Sequence, residues 1–258
     1  MVFSPFVGIM GVQSPEEGAR LARLTDAFSG HGHRLLLGAY ADWWTFHGAT
    51  HRPFLPSRED LASICAQENG AAHAVHFTPM PERDLAEQLF ALMATCPNLS
   101  VLILHAVWPK RDTLVLFRRQ WPNVSLVLWV SEECFIDLAE RTTRVAHRIA
   151  EYARIGAIDS VMLDLAAGNG SPVDEVRAAY VLRLIRQGGV ALPFGLAGGL
   201  SADRFDTGFS RVMREYNPLS LSASRRLRRD GRLDADLARR FTERALFAAS
   251  SSVSAIRS

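Results

Sequence analysis

Short apolar runs alternate with longer amphipathic stretches along the whole chain. The apolar runs cover residues 6–12, 34–41, 71–77, 99–107, 124–130, 160–164, 193–197 and 218–222. Most are continuous rather than alternating in–out, which is the signature of parallel strands covered by helices. Between them, apolar residues recur at helical spacing and carry helix punctuation. Ser14-Pro15-Glu16-Glu17 supplies an N-cap, a proline at the first helical position and acids in the first turn, and Gly30 stops that helix. Ser57 with Asp60 resembles a capping box, closed at Gly70. Further helices are expected over about 82–95, 112–121, 135–155, 172–187, 201–216 and 234–249.

Eight strands, each followed by a helix, fit a closed (β/α)8 TIM barrel, an α/β fold of eight parallel strands with outer helices. No shift of composition marks a boundary, so the 258 residues are read as one domain, with 250–258 as a frayed tail. Two segments depart from the regular alternation. Residues 42–53 form a long loop rich in aromatics and histidine, and loops of this length in compact domains are often functional. Its Trp43, Trp44 and Phe46 fit either a lid over a planar substrate or a plug in the barrel mouth. The Arg225-Arg226-Leu227-Arg228-Arg229 run reads as a solvated helix face, with one arginine free to stand beside a bound phosphate.

Composition narrows the function class. An apolar content of 48% supports a large core and argues against disorder. A net charge of +2 argues against a nucleic-acid partner, although only Lys110 among the 29 basic residues is a lysine. No apolar run reaches the roughly 18 residues of a membrane helix. The N-terminus lacks the basic region of a signal peptide. Cys65, Cys96 and Cys134 have neither metal-ligand nor disulfide spacing. The expectation is a cytoplasmic protein with no metal, no cofactor and a small-molecule substrate.

In a (β/α)8 barrel the site lies at the C-terminal ends of the strands. The candidates there are Met10, Asp42, His76, His105, Glu132, Glu133, Asp164, Gly198, Gly199, Ser222 and Ser224. Asp164 ends the sixth strand on the same face as Met162 and Ser160. If it points inward, desolvation raises its pKa and suits it to acid–base work; otherwise it caps the following loop. Leu196-Ala197-Gly198-Gly199-Leu200-Ser201 joins a strand, a glycine turn and a helix start, where backbone N–H groups can approach an anion. Ser222 and Ser224 hold the matching place after strand eight. His73 and His76, three apart in a strand, face opposite ways and cannot share a metal. Lys110 sits in a polar loop, without the desolvation that a Schiff-base lysine needs.

Several of these motifs together resemble phosphoribosylanthranilate isomerase. They are Gly8-Ile9-Met10-Gly11-Val12 with Ser14-Pro15-Glu16, Thr50-His51-Arg52, Leu104-His105, Met162-Leu163-Asp164 with Gly168-Asn169-Gly170, Leu196-Ala197-Gly198-Gly199-Leu200, and Ser220 to Ser224. The resemblance implies a barrel enzyme of the Amadori rearrangement with Asp164 as general acid. It also implies Arg52 as a charge stabiliser near the sugar, and a phosphate cradle built from Gly198, Gly199, Ser222 and Ser224, with Gly168 and Gly170. The chain diverges where the family has its catalytic base: the first-strand cysteine position is Met10, whose thioether has no titratable proton. The family's strand-eight aspartate falls at Ser220.

The expected function is therefore acid–base catalysis on a phosphorylated, phosphoribosyl-type sugar, by a reaction other than the ordinary isomerisation. Asp42, His105 and Glu132 are the candidates for the second proton-transfer group. Two alternatives stand beside it: a non-catalytic barrel that binds a phosphorylated ligand, and a lyase or other specialised-metabolism enzyme on the same scaffold.

Overall fold

The computed structural model describes residues 3–29, 31–47, 54–166, 173–205, 209–216 and 218–254. Each apolar run forms a strand: β1 (Phe6–Met10), β2 (Arg34–Asp42), β3 (Ala72–Thr78), β4 (Val101–Leu104), β5 (Ser125–Val130), β6 (Ser160–Asp164), β7 (Phe194–Ala197) and β8 (Leu219–Ala223). Consecutive strands pair in parallel, and β8 pairs back onto β1 through Val7–Leu221, Gly8–Ser222 and Ile9–Ala223. The sheet is thus a closed (β/α)8 barrel.

Helices α1 (Pro15–Ala22), α2 (Trp43–His47), α3 (Arg58–Cys65), α4 (Leu85–Thr95), α5 (Arg111–Gln120), α6 (Glu132–Asp137), α7 (Thr142–Arg154), α8 (Glu175–Gln187), α9 (Phe209–Tyr216) and α10 (Ala235–Ser254) surround it. The caps act as the sequence indicates. Ser14 accepts a hydrogen bond from the Glu17 N–H at 3.3 Å, and Ser57 accepts one from the Asp60 N–H at 3.0 Å.

Closure makes successive side chains point alternately into the barrel and out beneath the helices. The outward set, such as Leu35, Leu37, Val75, Phe77, Leu102 and Leu104, builds the main core with the helices. The inward set includes Phe6, Met10, Leu36, Ile103, Val127, Trp129 and Met162. Two of these residues need a glycine beside them. A Cβ on Gly38 would lie 2.2 Å from the Met10 methyl, and one on Gly195 would lie 2.5 Å from the Met162 methyl and 2.9 Å from the Ser220 carbonyl oxygen. Long thioethers fill the barrel because neighbouring strands give up their side chains.

The structure differs from the sequence expectation in several helices. The 42–53 loop begins as helix α2, with Asp42 Oδ1 accepting the Thr45 N–H at 3.0 Å as a cap. The helix expected over 135–155 is two, α6 and α7, and α6 starts already at Glu132. Between them Ala139 and Glu140 take positive φ, and their N–H groups satisfy the Ile136 and Phe135 carbonyls at 2.9 and 2.7 Å. The helix expected from Pro172 begins at Glu175, capped by Asp174, which accepts from the Arg177 N–H at 3.0 Å. The helix expected over 201–216 is a single 3-10 turn, Ala202–Arg204, followed by α9.

The arginine run is not a helix face. It forms a 3-10 turn, Arg225–Leu227, and then a hairpin of β9 (Arg228–Arg229) and β10 (Arg232–Leu233). Asp230 and Gly231, both at positive φ, make its two-residue turn. Helix α10 extends past its expected end at Ala249 to Ser254.

Gly195→Ala is expected to lower unfolding stability by about 1–3 kcal/mol through overpacking. Gly38→Ala should cost less, because only the flexible end of Met10 stands in its way. Urea unfolding of both variants checks this order, and a larger loss for Gly38→Ala would contradict the packing described.

Candidate active site

Where the apolar filling stops, at the C-terminal ends of the strands, a cavity of about 910 Å³ opens. Met10, Tyr40, Asp42, His76, His105, Trp129 and Asp164 line it, and so do Gly198, Gly199, Ser222, Ser224 and Arg225. Asp164 follows Met162 on the inward face of β6 and is 8% exposed. Its Oδ1 accepts the Ala166 N–H at 3.1 Å. Burial pushes its carboxyl above the ordinary range, and the Ala166 N–H partly opposes that shift.

Gly198 closes over this carboxylate. A Cβ there would sit 2.3 Å from Asp164 Oδ1, and the backbone is at φ +90°, so only glycine fits. The strand-seven turn and the strand-six acid are therefore one structural unit.

The same cavity holds a group of rings from β2 to β5. The His76 ring is 4.4 Å from Trp129, 5.1 Å from Tyr40 and 5.3 Å from His105. Burial lowers the pKa of both histidines, and their proximity adds to the effect on His76. The Nδ1 of His76 is buried without a protein partner. His105 Nε2 lies 3.3 Å from Ser131 Oγ, and Ser131 in turn donates a short hydrogen bond to Glu133. His73, on the other face of β3, bonds Asn69 Oδ1 through Nε2 at 3.1 Å, as the strand parity requires.

The expected anion cradle is partly rearranged. Gly198, Gly199, Ser222 and Ser224 all border the cavity. Each glycine–serine turn leads into a three-residue 3-10 turn, however, not into a long helix. The helix dipole expected at Ser201 therefore adds little, and the positive field comes from arginines. Arg225 is close enough to act electrostatically on both Asp164 and Tyr40. Arg228 is committed to structure: its guanidinium donates to Gly11 O at 2.6 Å and Gly231 O at 2.7 Å. The Ser224 hydroxyl hydrogen-bonds with Tyr40.

Of the other sequence candidates, Asp42 borders the cavity, but its carboxylate also receives the Thr45 hydroxyl at 3.2 Å. Glu132 is held by both arms of Arg177 at 3.0 Å. Trp43 packs beneath Arg83 and Phe46 against Phe77, and neither is among the described residues that border the cavity. Arg52, Gly168 and Gly170 lie outside the described residues. Sequence reasoning missed Tyr40, Trp129 and Ser131. Parity with Gly38 and Val127 was the available signal for the first two.

Solved structures share this barrel. N-(5'-phosphoribosyl)anthranilate isomerase from Pyrococcus furiosus superposes with a TM-score of 0.60 at 17% identity, over 93% of this chain and 98% of that one. Phosphoribosyl anthranilate isomerase from Thermotoga maritima gives 0.62 at 15% identity, over 95% and 98%. The ribulose-1,5-bisphosphate carboxylase/oxygenase of Pyrococcus horikoshii gives 0.57 at 12% identity, over 98% and 59%. At these identities the likeness is one of fold. No protein-family model and no curated protein matches the sequence.

Among the described residues, no helix is long and apolar enough to cross a membrane. No group of three or more His, Cys, Asp or Glu side chains among them is arranged to hold a metal ion.

Because the folded pKa of Asp164 is raised, the folded state binds its proton more tightly than the unfolded chain does. This favours folding at low pH and is lost as pH rises from about 3.9 through the raised folded value. Asp164→Asn is therefore expected to raise the urea midpoint at neutral pH and to match the wild type below the ordinary carboxylate range. A lowered midpoint at neutral pH would mean that the charged carboxylate is stabilised by its surroundings.

Proposed function

We propose that the protein is an acid–base enzyme acting on a phosphorylated sugar of phosphoribosyl type. The observation that carries this reading is the presence in one cavity of a buried carboxyl, Asp164, whose pKa is raised by burial, and a half-buried imidazole, His105, whose pKa is lowered by burial. Two groups pushed toward neutrality from opposite sides can exchange a proton each with a substrate between them. His105 is the second group because Asp42 caps α2 and Glu132 is bound by Arg177. The phosphate would rest on the Gly198–Gly199 turn and on Ser222 and Ser224, with Arg225 as counter-charge. Two similar barrels, the phosphoribosylanthranilate isomerases from Pyrococcus furiosus and Thermotoga maritima, support the substrate class. Arg52, Gly168 and Gly170 stay in the proposal on sequence grounds alone.

The reaction differs from the ordinary isomerisation. In place of a titratable cysteine, Met10 fills the cavity floor and is 1% exposed. Ser220 accepts the Phe6 N–H at 3.2 Å inside the barrel and has a structural role. These two residues also favour the second reading, a barrel that binds a phosphorylated ligand without transforming it.

Ribose 5-phosphate, but not ribose, is expected to raise the melting temperature, and Arg225→Ala should weaken that binding about tenfold or more. With a phosphoribosyl substrate found by screening, Asp164→Asn should retain binding and lose about a hundredfold or more in kcat. Cells lacking the tryptophan-pathway isomerase should not be rescued. Equal turnover by Asp164→Asn would remove the acid–base assignment, and binding without turnover in the wild type would favour the second reading.

A further inference from the structure

Ser131 stands at the N-cap of α6, yet its hydroxyl makes no side-chain cap bond to the helix. A serine in this place ordinarily accepts from the N–H groups of the first turn. Here it meets side chains instead: the Cys134 thiol, which can donate to it, and two further groups. It donates to Glu133 Oε2, and its oxygen faces His105 Nε2 at 3.3 Å. Ser131 is buried, Glu133 reaches solvent, and His105 borders the cavity. The three side chains form a line from the protein surface to the cavity floor.

Proton bookkeeping along this line leaves one arrangement. A serine hydroxyl has one proton, and an ionised carboxylate can only accept. The bond from Ser131 keeps the Glu133 carboxyl below the ordinary range, so it is ionised at neutral pH. Ser131 therefore spends its proton on Glu133 and can only accept from His105. His105 must carry its hydrogen on Nε2, which leaves Nδ1 with a lone pair.

We propose that Glu133, acting through Ser131, is a positioning pair that locks His105 as the Nε2-protonated tautomer and so makes Nδ1 the base that works with Asp164 in the same cavity. This rests on His105 being the base of the proposed reaction. In that reaction a substrate proton moves to Nδ1 while Nε2 keeps its own. The Glu133 carboxylate offsets the imidazolium charge through Ser131, and Asp164 gives its proton to the substrate. The ionisable groups acting on His105 are Glu133 from α6, Asp164 from β6 and His76 from β3. Burial keeps the resting imidazole neutral.

The pair can be tested on the full chain without any substrate. In protein labelled with ¹⁵N-histidine, the His105 signals are assigned by their loss in His105→Gln. The wild type should show protonated Nε2 and unprotonated Nδ1 across the neutral range. Glu133→Gln and Ser131→Ala should each admit the Nδ1-protonated form and lower the His105 pKa by about one unit, while Ser131→Thr restores both. Glu133 is exposed, so Glu133→Gln carries the test if Ser131→Ala does not fold. A Nδ1-protonated wild type, or an unchanged tautomer and pKa in Glu133→Gln, overturns the proposal. Failure of ribose 5-phosphate to bind would overturn the substrate class and leave this tautomer result standing.

Discussion

Everything at the mouth of this barrel depends on how its interior is filled. A closed eight-stranded sheet has a fixed interior, and each strand can send in only every second side chain. Met10 and Met162 take up more than their share, and Gly38 and Gly195 on the neighbouring strands yield the space. Below the mouth the interior is thus apolar and tightly packed, as low-strain cores are. The same parity that buries Met162 brings Asp164 inward two residues later. It does the same for Tyr40 after Gly38 and for Trp129 after Val127. The site is the next layer of the core, built from residues that keep a polar atom.

That origin explains its electrostatics. A carboxyl placed on an apolar layer loses hydration and holds its proton, whereas an imidazole in the same place gives its proton up. Asp164 and the two histidines are shifted in these opposite senses by one cause. A single environment therefore shifts a carboxyl and an imidazole in the senses that the proposed acid–base roles require. The positive charge sits apart, on the arginines that follow β8. Arg228 ties the β9–β10 hairpin to Gly11, across the β8–β1 seam of the barrel. This division between a desolvated floor and an arginine-bearing rim suits the proposed substrate, which carries its charge at one end.

The strands were legible because their apolar runs are continuous and their order is simple. Asp164 and the Gly198–Gly199 turn were legible because the barrel rule says where to look. The failures have physical causes. No glycine or proline marks the break between α6 and α7; Ala139 and Glu140 take left-handed conformations that sequence alone does not suggest. The Asp230-Gly231 turn did carry a hairpin signature, but the arginines flanking it suggested a solvated helix face. Ser131 and Glu133 read as an ordinary helix start, since an N-cap serine and early acids are common there. Only the structure shows that the hydroxyl bonds side chains rather than the helix backbone. Arg52, Gly168 and Gly170 lie outside the described residues, so the sequence remains their sole support.

The thioether at the end of β1, Met10, bears on where base chemistry could sit under the proposed function. A barrel that loses its first-strand base does not lose base chemistry if another strand end can supply it. His105 lies after β4, and its backbone N–H extends the ladder to the Phe77 carbonyl at 2.9 Å, so its Cα is fixed by the sheet. Its ring is fixed by Ser131, which belongs to the next strand–helix junction. Asp164 comes from β6, two strands beyond β4. Moving the base from β1 to β4 would turn the proton-transfer axis across the mouth while leaving the turns after β7 and β8 in place. A substrate held by its phosphate at those turns would then present a different atom to Asp164 and His105 than it would to a pair on β1 and β6. Under the proposed function, relocating one group would give a different reaction while the phosphate cradle and the fold stay the same.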